Sequence, residues 1–349
     1  MNYQRGSLAR MQESRRLVIG YTLVSAGILL AASGGTWDVT NHLLNKPETF
    51  FAPPHAVLYT GVASALAGMA LVVSASRAAG QFDWSAKFLI AGVALLLSAG
   101  PVDFVWHSTF GLDGLLSPPH SVLVSGMVTS SIAAIIGLVR ASKVLPAALI
   151  VVAILPVWIS AAGAVHMFSL PFSNTAYFNF NPHPIAGAIV ATLGFPLITA
   201  AISHTSSELT GRKFGILSAT AAIFLFINTF TSIIPNEALV STIPFYIATV
   251  IPFVVADAIL ARWRSPKSLY MAGAIVGITF FMLYYPLITH TYNKVMDNKT
   301  VWGSLTAIIY FELMGPLYPV LLAPAAAMGI LGAMIGQGMV RRAILAGLR

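Results

Sequence analysis

The chain has 349 residues, of which 57% are hydrophobic and only 9% charged, and its mean hydropathy is +0.82. Soluble domains carry about 25% charged residues to cover their surface, so this composition excludes a soluble protein. The net charge of +8 does not indicate a nucleic-acid partner, because the basic residues form short clusters between apolar runs and no basic stripe. Cysteine is absent, which excludes disulfides and thiolate-ligated metal centres.

Apolar runs long enough to cross a bilayer recur along the whole chain. They predict one integral membrane domain, residues 1–349, with an all-α fold: a polytopic transmembrane bundle of about ten spans built from helical hairpins. The apolar stretch 301–314 is too short to cross and is predicted to be interfacial or re-entrant. The predicted spans are 17–35, 54–76, 88–107, 119–140, 144–168, 183–203, 213–234, 240–262, 268–290 and 317–340.

The basic residues predict the orientation of these spans. In a ten-span arrangement, 16 of the 19 Lys and Arg residues fall on one side, and only Lys46, Lys294 and Lys299 fall on the other. The positive-inside rule therefore predicts that both termini are cytoplasmic in a multi-pass protein of the cell (plasma) membrane. Arg15 and Arg16 before the first apolar run also fit a signal peptide, but that run is longer than usual for one and favours a retained anchor.

An internal repeat carries the candidate chemistry. Residues 35–61 and 100–126 share the pattern Asp-x3-His-x12-His at a constant offset of 65 residues. Two prolines, a Val, a Leu and a Gly around the last His recur at the same offset, and chance seldom produces one spacing twice. The ligand-type residues of the two copies are Asp38, His42 and His55, and Asp103, His107 and His120.

The spacing within each copy predicts convergence. Asp and His four residues apart share one face of a helix, here at the outer end of a span. Twelve residues allow the chain to turn, and Pro-Pro suits the first turn of the returning helix that carries the second His. One carboxylate and two imidazoles suit copper, zinc or non-haem iron. The alternative is polar residues meeting lipid headgroups, or a simple Asp–His pair, and the duplication favours metal.

Four further residues are predicted as extra ligands or as residues that support the ligands. His166 and His183 fit a degenerate third hairpin without a carboxylate, because Ala162 stands four residues before His166. Glu312 lies in an apolar stretch, where an unpartnered carboxylate is costly. Asp257, by contrast, is predicted to be compensated locally by Arg262 and Arg264. The four candidates are His166, His183, His290 and Glu312.

The segment Asp103-Phe-Val-Trp-His107, followed by His120, resembles the C subunit of copper membrane monooxygenases, the family of particulate methane and ammonia monooxygenases. The resemblance covers roughly residues 35–130. It implies copper at Asp103, His107 and His120 and, through the repeat, at Asp38, His42 and His55. It also implies further membrane subunits and O2-dependent hydroxylation of ammonia or a hydrocarbon. The chain departs from the family in having about ten spans and Asp in both copies.

Three functional classes fit these residues. The first is a copper-binding membrane subunit of an oxygenase that acts on a small-molecule substrate near the outer face. The second is a non-catalytic carrier, store or assembly factor for copper or zinc. The third is a haem-binding electron-transfer protein that uses paired histidines, although haem does not require the repeated Asp.

Overall fold

The computed structural model describes residues 2–43, 49, 51–80, 82–111, 115–142, 145–170, 183–233, 237–296 and 315–347. Its regular secondary structure in these ranges is entirely helical, as predicted. The elements are α1 (Asn2–Leu43), α2 (Pro53–Ala78), α3 (Trp84–Phe110), α4 (Pro118–Ala141), α5 (Ala147–Ser169), α6 (Pro184–Leu209), α7 (Ile216–Ile233), a 3₁₀ helix (Glu237–Thr242), α8 (Ile243–Ala248), α9 (Ile251–Arg262), α10 (Pro266–Met296) and α11 (Gly315–Gly347).

Ten helical segments in the described ranges are long and apolar enough to cross a membrane, and each overlies one predicted span. The prediction of a multi-pass helical membrane protein is therefore confirmed. Two segments differ from it in detail. At 42 residues, or about 63 Å, α1 is far longer than the predicted span 17–35. The span at 240–262 is built from the end of the 3₁₀ helix, α8 and α9, with Pro244 and Pro252 in the first turns of α8 and α9.

The repeat is visible in the helix packing. Helices α1 and α2 form the first hairpin, and α3 and α4 form the second. Gly27 faces Gly61 in the first hairpin, and Gly92 faces Gly126 at the equivalent place in the second. A Cβ on Gly61 would lie 2.5 Å from the Gly27 carbonyl oxygen, and one on Gly126 would lie 2.9 Å from that of Gly92. Small residues thus let both helix pairs approach closely, as is common between membrane helices.

Among the remaining helices, α5 packs directly on these hairpins and contacts α1, α4, α6 and α7, while α7 also contacts α1 and α11 also contacts α4. The core of this second half is aromatic. The ring of Trp158 stacks on Phe224 with a centroid distance of 4.6 Å, and Phe280 stacks on Tyr284 at 4.5 Å. These four side chains are almost completely buried, so this half supplies a rigid support on which the repeated hairpins rest.

The buried carboxylate of Asp257 has a structural role that differs from the predicted one. Its Oδ2 accepts hydrogen bonds from the backbone N–H groups of Gly215 and Ser218, at 2.9 and 3.0 Å, and from the Ser218 hydroxyl at 2.7 Å. Asp257 therefore caps the first turn of α7 from α9, where helix N–H groups lack partners of their own. These contacts are with the start of α7, whose positive end favours a carboxylate, and the described residues show no ion pair of Asp257 with Arg262 or Arg264.

Candidate metal centre

The second hairpin brings its three predicted ligands together. Oδ1 of Asp103 lies 3.3 Å from Nε2 of His107 and 3.3 Å from Nε2 of His120. One ligand atom from each residue lies within 4.8 Å of the others, and all three side chains are partly buried. The Asp and the first His stand one turn apart near the end of α3, and the second His lies in the first turn of α4. This is the convergence that the spacing predicts.

The first hairpin shows the same arrangement for the two ligands that are described. Oδ1 of Asp38 lies 3.0 Å from Nε2 of His55. Asp38 lies in the second-to-last turn of α1, and His55 lies in the first turn of α2. The side chains of His42 and His290 and the whole of Glu312 lie outside the described residues.

Backbone carbonyls orient the three described imidazoles, which are those of His55, His107 and His120. Nδ1 lies 3.0 Å from the Thr49 oxygen in His55, 3.2 Å from the Gly111 oxygen in His107 and 3.2 Å from the Leu115 oxygen in His120. A carbonyl oxygen can only accept, so each Nδ1 carries the proton and donates it. In the neutral ring the lone pair is then on Nε2, the nitrogen that faces the carboxylate. Histidines that bind metals are held in this way.

This tautomer makes the short contacts unfavourable unless a cation lies among them. A lone pair on Nε2 and the negative oxygen of Asp103 repel each other at 3.3 Å. Protonating Nε2 of one ring removes the repulsion between that ring and the carboxylate. Protonating both rings of the second hairpin would direct two imidazolium cations, with centroids 5.6 Å apart, at the single oxygen Oδ1 of Asp103. One metal ion satisfies both nitrogens and the carboxylate at once.

The spacing of the donor atoms also fits a metal. Two ligands bonded about 2.05 Å from a tetrahedral ion lie roughly 3.3 Å from each other. The two Asp–His separations in the second hairpin are both 3.3 Å, and that in the first is 3.0 Å. Nitrogen and carboxylate donors without sulfur suit copper, zinc and non-haem iron. The residues present therefore fit such an ion.

The helix starts explain how the second His of each copy reaches its place. Pro53-Pro54 and Pro118-Pro119 occupy the first turns of α2 and α4, where no backbone donor is needed. In the second hairpin the buried Ser117 caps α4 by accepting a hydrogen bond from the His120 N–H at 3.3 Å. Ala52 stands at the equivalent place in the first hairpin, and its side chain makes no capping bond. The two copies therefore share the ligand geometry but differ in its support.

Both copies open into one cavity of about 580 Å³. Its polar end is formed by the two carboxylates and the described imidazoles, and the rest of its lining is mostly apolar. Leu58 and Leu123, the repeated Leu of the motif, both line it. The repeat signalled these positions in the sequence, but their role as a shared wall was missed. The polar residues at this end are Asp38, Thr49, His55, Asp103, His107, Ser108 and His120.

His166 lies behind the second triad. It lines a separate chamber of about 110 Å³ together with His120, Ser160 and Asn228. His166 is 8% exposed, and its Nε2 has no hydrogen-bond partner among the described residues. The ring instead packs against Phe195, with a centroid distance of 5.1 Å. The structure thus places His166 near the site without bringing it into the group of converging ligand atoms.

His183 has a different position. Its side chain is exposed, and its Nδ1 accepts a hydrogen bond from the Ile185 N–H at 3.3 Å, so it caps the start of α6. Histidine is not among the preferred capping residues, so sequence patterns give little indication of this role.

A second polar group lies at the opposite end of the two hairpins. Asp83 caps α3 through the Ala86 N–H at 3.1 Å, accepts from the Ser85 hydroxyl at 2.7 Å and pairs with Arg140 at 2.8 Å. The Arg140 guanidinium also covers the Trp84 ring at 4.8 Å. Burial raises the pKa of Asp83, but these hydrogen bonds and the positive charge of Arg140 outweigh it and hold the pKa below its usual value.

Comparison of the chain with protein-family models, with curated proteins and with solved structures finds no match.

Proposed function

We propose that the two hairpins bind copper and that the chain is a membrane subunit of an O2-dependent oxygenase, similar to the C subunit of copper membrane monooxygenases. The observation that carries the proposal is the orientation of the imidazoles. Three Nδ1–H groups are fixed on backbone carbonyls, so three Nε2 lone pairs face carboxylate oxygens 3.0–3.3 Å away. The sequence motif of the second copy supports the choice of copper and of the oxygenase class.

The residues have distinct roles in this proposal. Asp38 and Asp103 would each offset part of the charge of a bound ion, and the imidazoles would supply neutral nitrogen donors. Reduced copper would supply the capacity to activate O2. Inserting one oxygen atom into a substrate and reducing the other to water consumes two electrons and two protons. A partner subunit or a separate donor would supply these. The largely apolar cavity beside both triads would hold the substrate and exclude bulk water.

Metal transport across the membrane is less well supported than binding. A pocket at the opposite end of the hairpins touches Tyr21, at least 14 residues or about 21 Å along α1 from the triad cavity. Between the two pockets, Val24, Ile28 and Ala31 are completely buried and Gly27 packs tightly against Gly61. Within the described part of α1 and α2 this layer contains no charged or imidazole side chain, and the hydroxyl of its buried Ser25 donates to the Tyr21 carbonyl oxygen. A carrier or storage function would still use the same two triads.

A haem site is also less well supported. Bis-histidine haem holds its imidazoles on opposite faces of the macrocycle, with iron between them. His107 and His120 instead direct both Nε2 atoms at one carboxylate oxygen. For this pair, the carboxylate therefore occupies the space that a porphyrin would need.

The direct test is the metal content of the purified protein in lipid nanodiscs, together with its copper EPR spectrum. Wild type is expected to bind up to two copper ions per chain with nitrogen hyperfine structure. His107→Ala and His42→Ala should each lose one. His183→Ala is a matched control, because His183 is an exposed helix cap away from the triads, and it should keep both ions. Unchanged copper in both triad variants would refute the proposal.

The same preparation separates the alternatives. A Soret band in the optical spectrum would identify haem and overturn the copper assignment. Zinc that copper does not displace would place the protein in the non-catalytic class. Uptake of metal into sealed proteoliposomes, abolished by His107→Ala, would identify a transporter.

A further inference from the structure

The cavity at the triads is elongated. Along α2 it extends from His55 to Leu66, eleven residues or about 17 Å of helix. Along α3 it extends from Ser108 back to Leu96. One end holds the carboxylates and imidazoles, and the other end is lined by Val62, Ala63 and leucines. We call this cavity the lateral slot.

The side of the slot between α2 and α3 is open. Leu66 is 37% exposed, Leu97 44% and Phe104 56%, although all three line the slot. They belong to two segments, Pro53–Ala78 and Trp84–Phe110, that are long and apolar enough to cross a membrane, so their outward side chains would face lipid in a bilayer. Gly100 also lines the slot, and a Cβ placed on it would meet no atom within 4 Å. The opening therefore faces the bilayer interior.

The dimensions of the slot limit what it can hold. Its volume of about 580 Å³ lies within the range of roughly 300–1,000 Å³ that small-molecule ligands occupy, and its length of about 17 Å suits an extended hydrocarbon chain. Each carboxylate at the polar end would balance the single charge of a reduced copper ion, so this end would be close to neutral and would favour an uncharged headgroup.

We propose that the lateral slot binds a lipid-soluble amphiphile, with an uncharged hydroxyl-bearing head and a long apolar tail, which enters from the bilayer between α2 and α3. The head lies at the triads, and the tail lies against Val62, Leu66 and Leu97. The inference deepens the proposed function and rests on it for the head position, because ions held by the triads would meet the hydroxyl oxygen. The long tail and lateral entrance rest on the shape of the slot alone.

The test uses a long-chain alcohol with a photoreactive diazirine in mid-chain, added to the full-length protein in lipid vesicles. Labelled residues are identified by mass spectrometry. Labelling around Leu66 and Leu97 is expected to fall severalfold when excess 1-dodecanol competes. Labelling of Phe226 and Ile247, which are 64% and 65% exposed on other helices, should not change. Equal, non-competable labelling at both places would mean that only bilayer acyl chains enter the slot, and would overturn the proposal.

A matched pair of variants removes the dependence on competition. Leu97→Trp replaces the leucine side chain in the slot with a larger indole ring. Leu193→Trp makes the same change at a leucine of similar exposure on α6. The first should reduce the slot labelling severalfold, and the second should leave it unchanged. Both positions are partly exposed, so both variants are expected to fold. Equal labelling in the two variants would contradict the slot.

Two further measurements separate this inference from the proposed function. A diazirine alkane without the hydroxyl should label the slot more weakly than the alcohol does, and equal labelling would overturn the assignment of the head. Copper content is determined on the same samples. Retained copper with non-competable labelling refutes the slot alone. Competable labelling combined with a copper content that is unchanged in His42→Ala and His107→Ala refutes the copper sites alone.

Discussion

At the scale of single residues, the orientation of the imidazoles is set by carbonyl oxygens of the loops and helix ends, and this leaves a carboxylate facing lone pairs. The change Asp103→Asn tests that arrangement, because an amide has nearly the same shape and can donate a hydrogen bond to Nε2. We expect the variant to lose one copper ion and, in the presence of a chelator, to unfold at the same temperature as wild type or higher. Metal analysis and thermal unfolding measure the two effects. Full copper occupancy in Asp103→Asn would contradict a metal role for this carboxylate.

A second residue-scale prediction concerns Asp257. Asp257→Ala removes the acceptor for two backbone N–H groups and one hydroxyl at the buried start of α7. The variant should lose about 2 kcal/mol of stability, because these donors are left without a partner. Ser74→Ala is the control. It removes an exposed hydroxyl that donates only to the Leu71 carbonyl oxygen of its own helix, and it should cost much less. Equal unfolding midpoints for the two variants in a denaturant titration would show that the hydrogen bonds to Asp257 contribute no more stability than the control interaction does.

The ligand types and their pairing could be predicted from the repeat, because a fixed offset and helical periodicity constrain which side chains share a face. Asp103, His107 and His120 meet as that argument expects. The carbonyl partners could not be predicted, since any residue type offers a backbone oxygen and loop geometry decides which one is near. The capping roles of Asp257 and His183 escaped prediction for a similar reason, since each depends on tertiary position and not on local pattern.

At the scale of helices, the close approach within each hairpin depends on glycines, which have no side chain to hold the two helices apart. Gly126→Ala would place a Cβ 2.9 Å from the Gly92 carbonyl oxygen, on a rigid backbone that cannot move aside cheaply. We expect a loss of about 1–3 kcal/mol and lower copper affinity, because the helices that carry the ligands would move apart. Gly163→Ala is the control, as its Cβ would meet nothing within 4 Å. Thermal unfolding of both variants in the same detergent decides the matter. Comparable losses would argue against tight packing at Gly126.

The ion pair between Asp83 and Arg140, at the other end of the second hairpin, makes the stability of the fold depend on pH. Hydrogen bonds and Arg140 hold the pKa of Asp83 below its usual value of about 3.9, so the folded state favours the ionised form. The stability this adds is fully present above that usual value and is lost as the pH falls through the lower folded pKa. At neutral pH, Asp83→Asn should therefore unfold at a lower temperature than wild type, and the gap should narrow on acidification towards about pH 3. A difference in unfolding temperature that widens in acid would mean that folding raises the pKa of Asp83 and does not lower it.

Helix existence could be predicted well from apolar run length, whereas helix boundaries could not. Lipid demands that every backbone group be paired within the span, so each apolar run of sufficient length becomes a helix. That constraint ends at the membrane surface, where α1 continues to 42 residues. The break between α8 and α9 follows tertiary packing and the positions of two prolines, which the hydropathy of the run does not reveal.

At the scale of the whole molecule, the two hairpins form one unit with the candidate ligand residues at one end and the Asp83–Arg140 ion pair at the other, supported by an aromatic core. This polarity gives the protein a direction in the membrane, and the basic residues predict which way it points. The absence of cysteine makes the prediction simple to test, because each introduced cysteine is the only thiol in the chain.

Phe51 and Phe214 provide the two positions. Both are exposed, at 79% and 61%, and lie in connections at opposite ends of the bundle, the first beside the triads and the second beside Arg212 and Lys213. A membrane-impermeant maleimide added to intact cells should label Phe51→Cys and spare Phe214→Cys, because basic loops stay in the cytoplasm. Permeabilised cells should allow both to react, which controls for reactivity. Labelling of Phe214→Cys alone in intact cells would place the triads inside, where copper, oxygen and substrate would have to reach them from the cytoplasm.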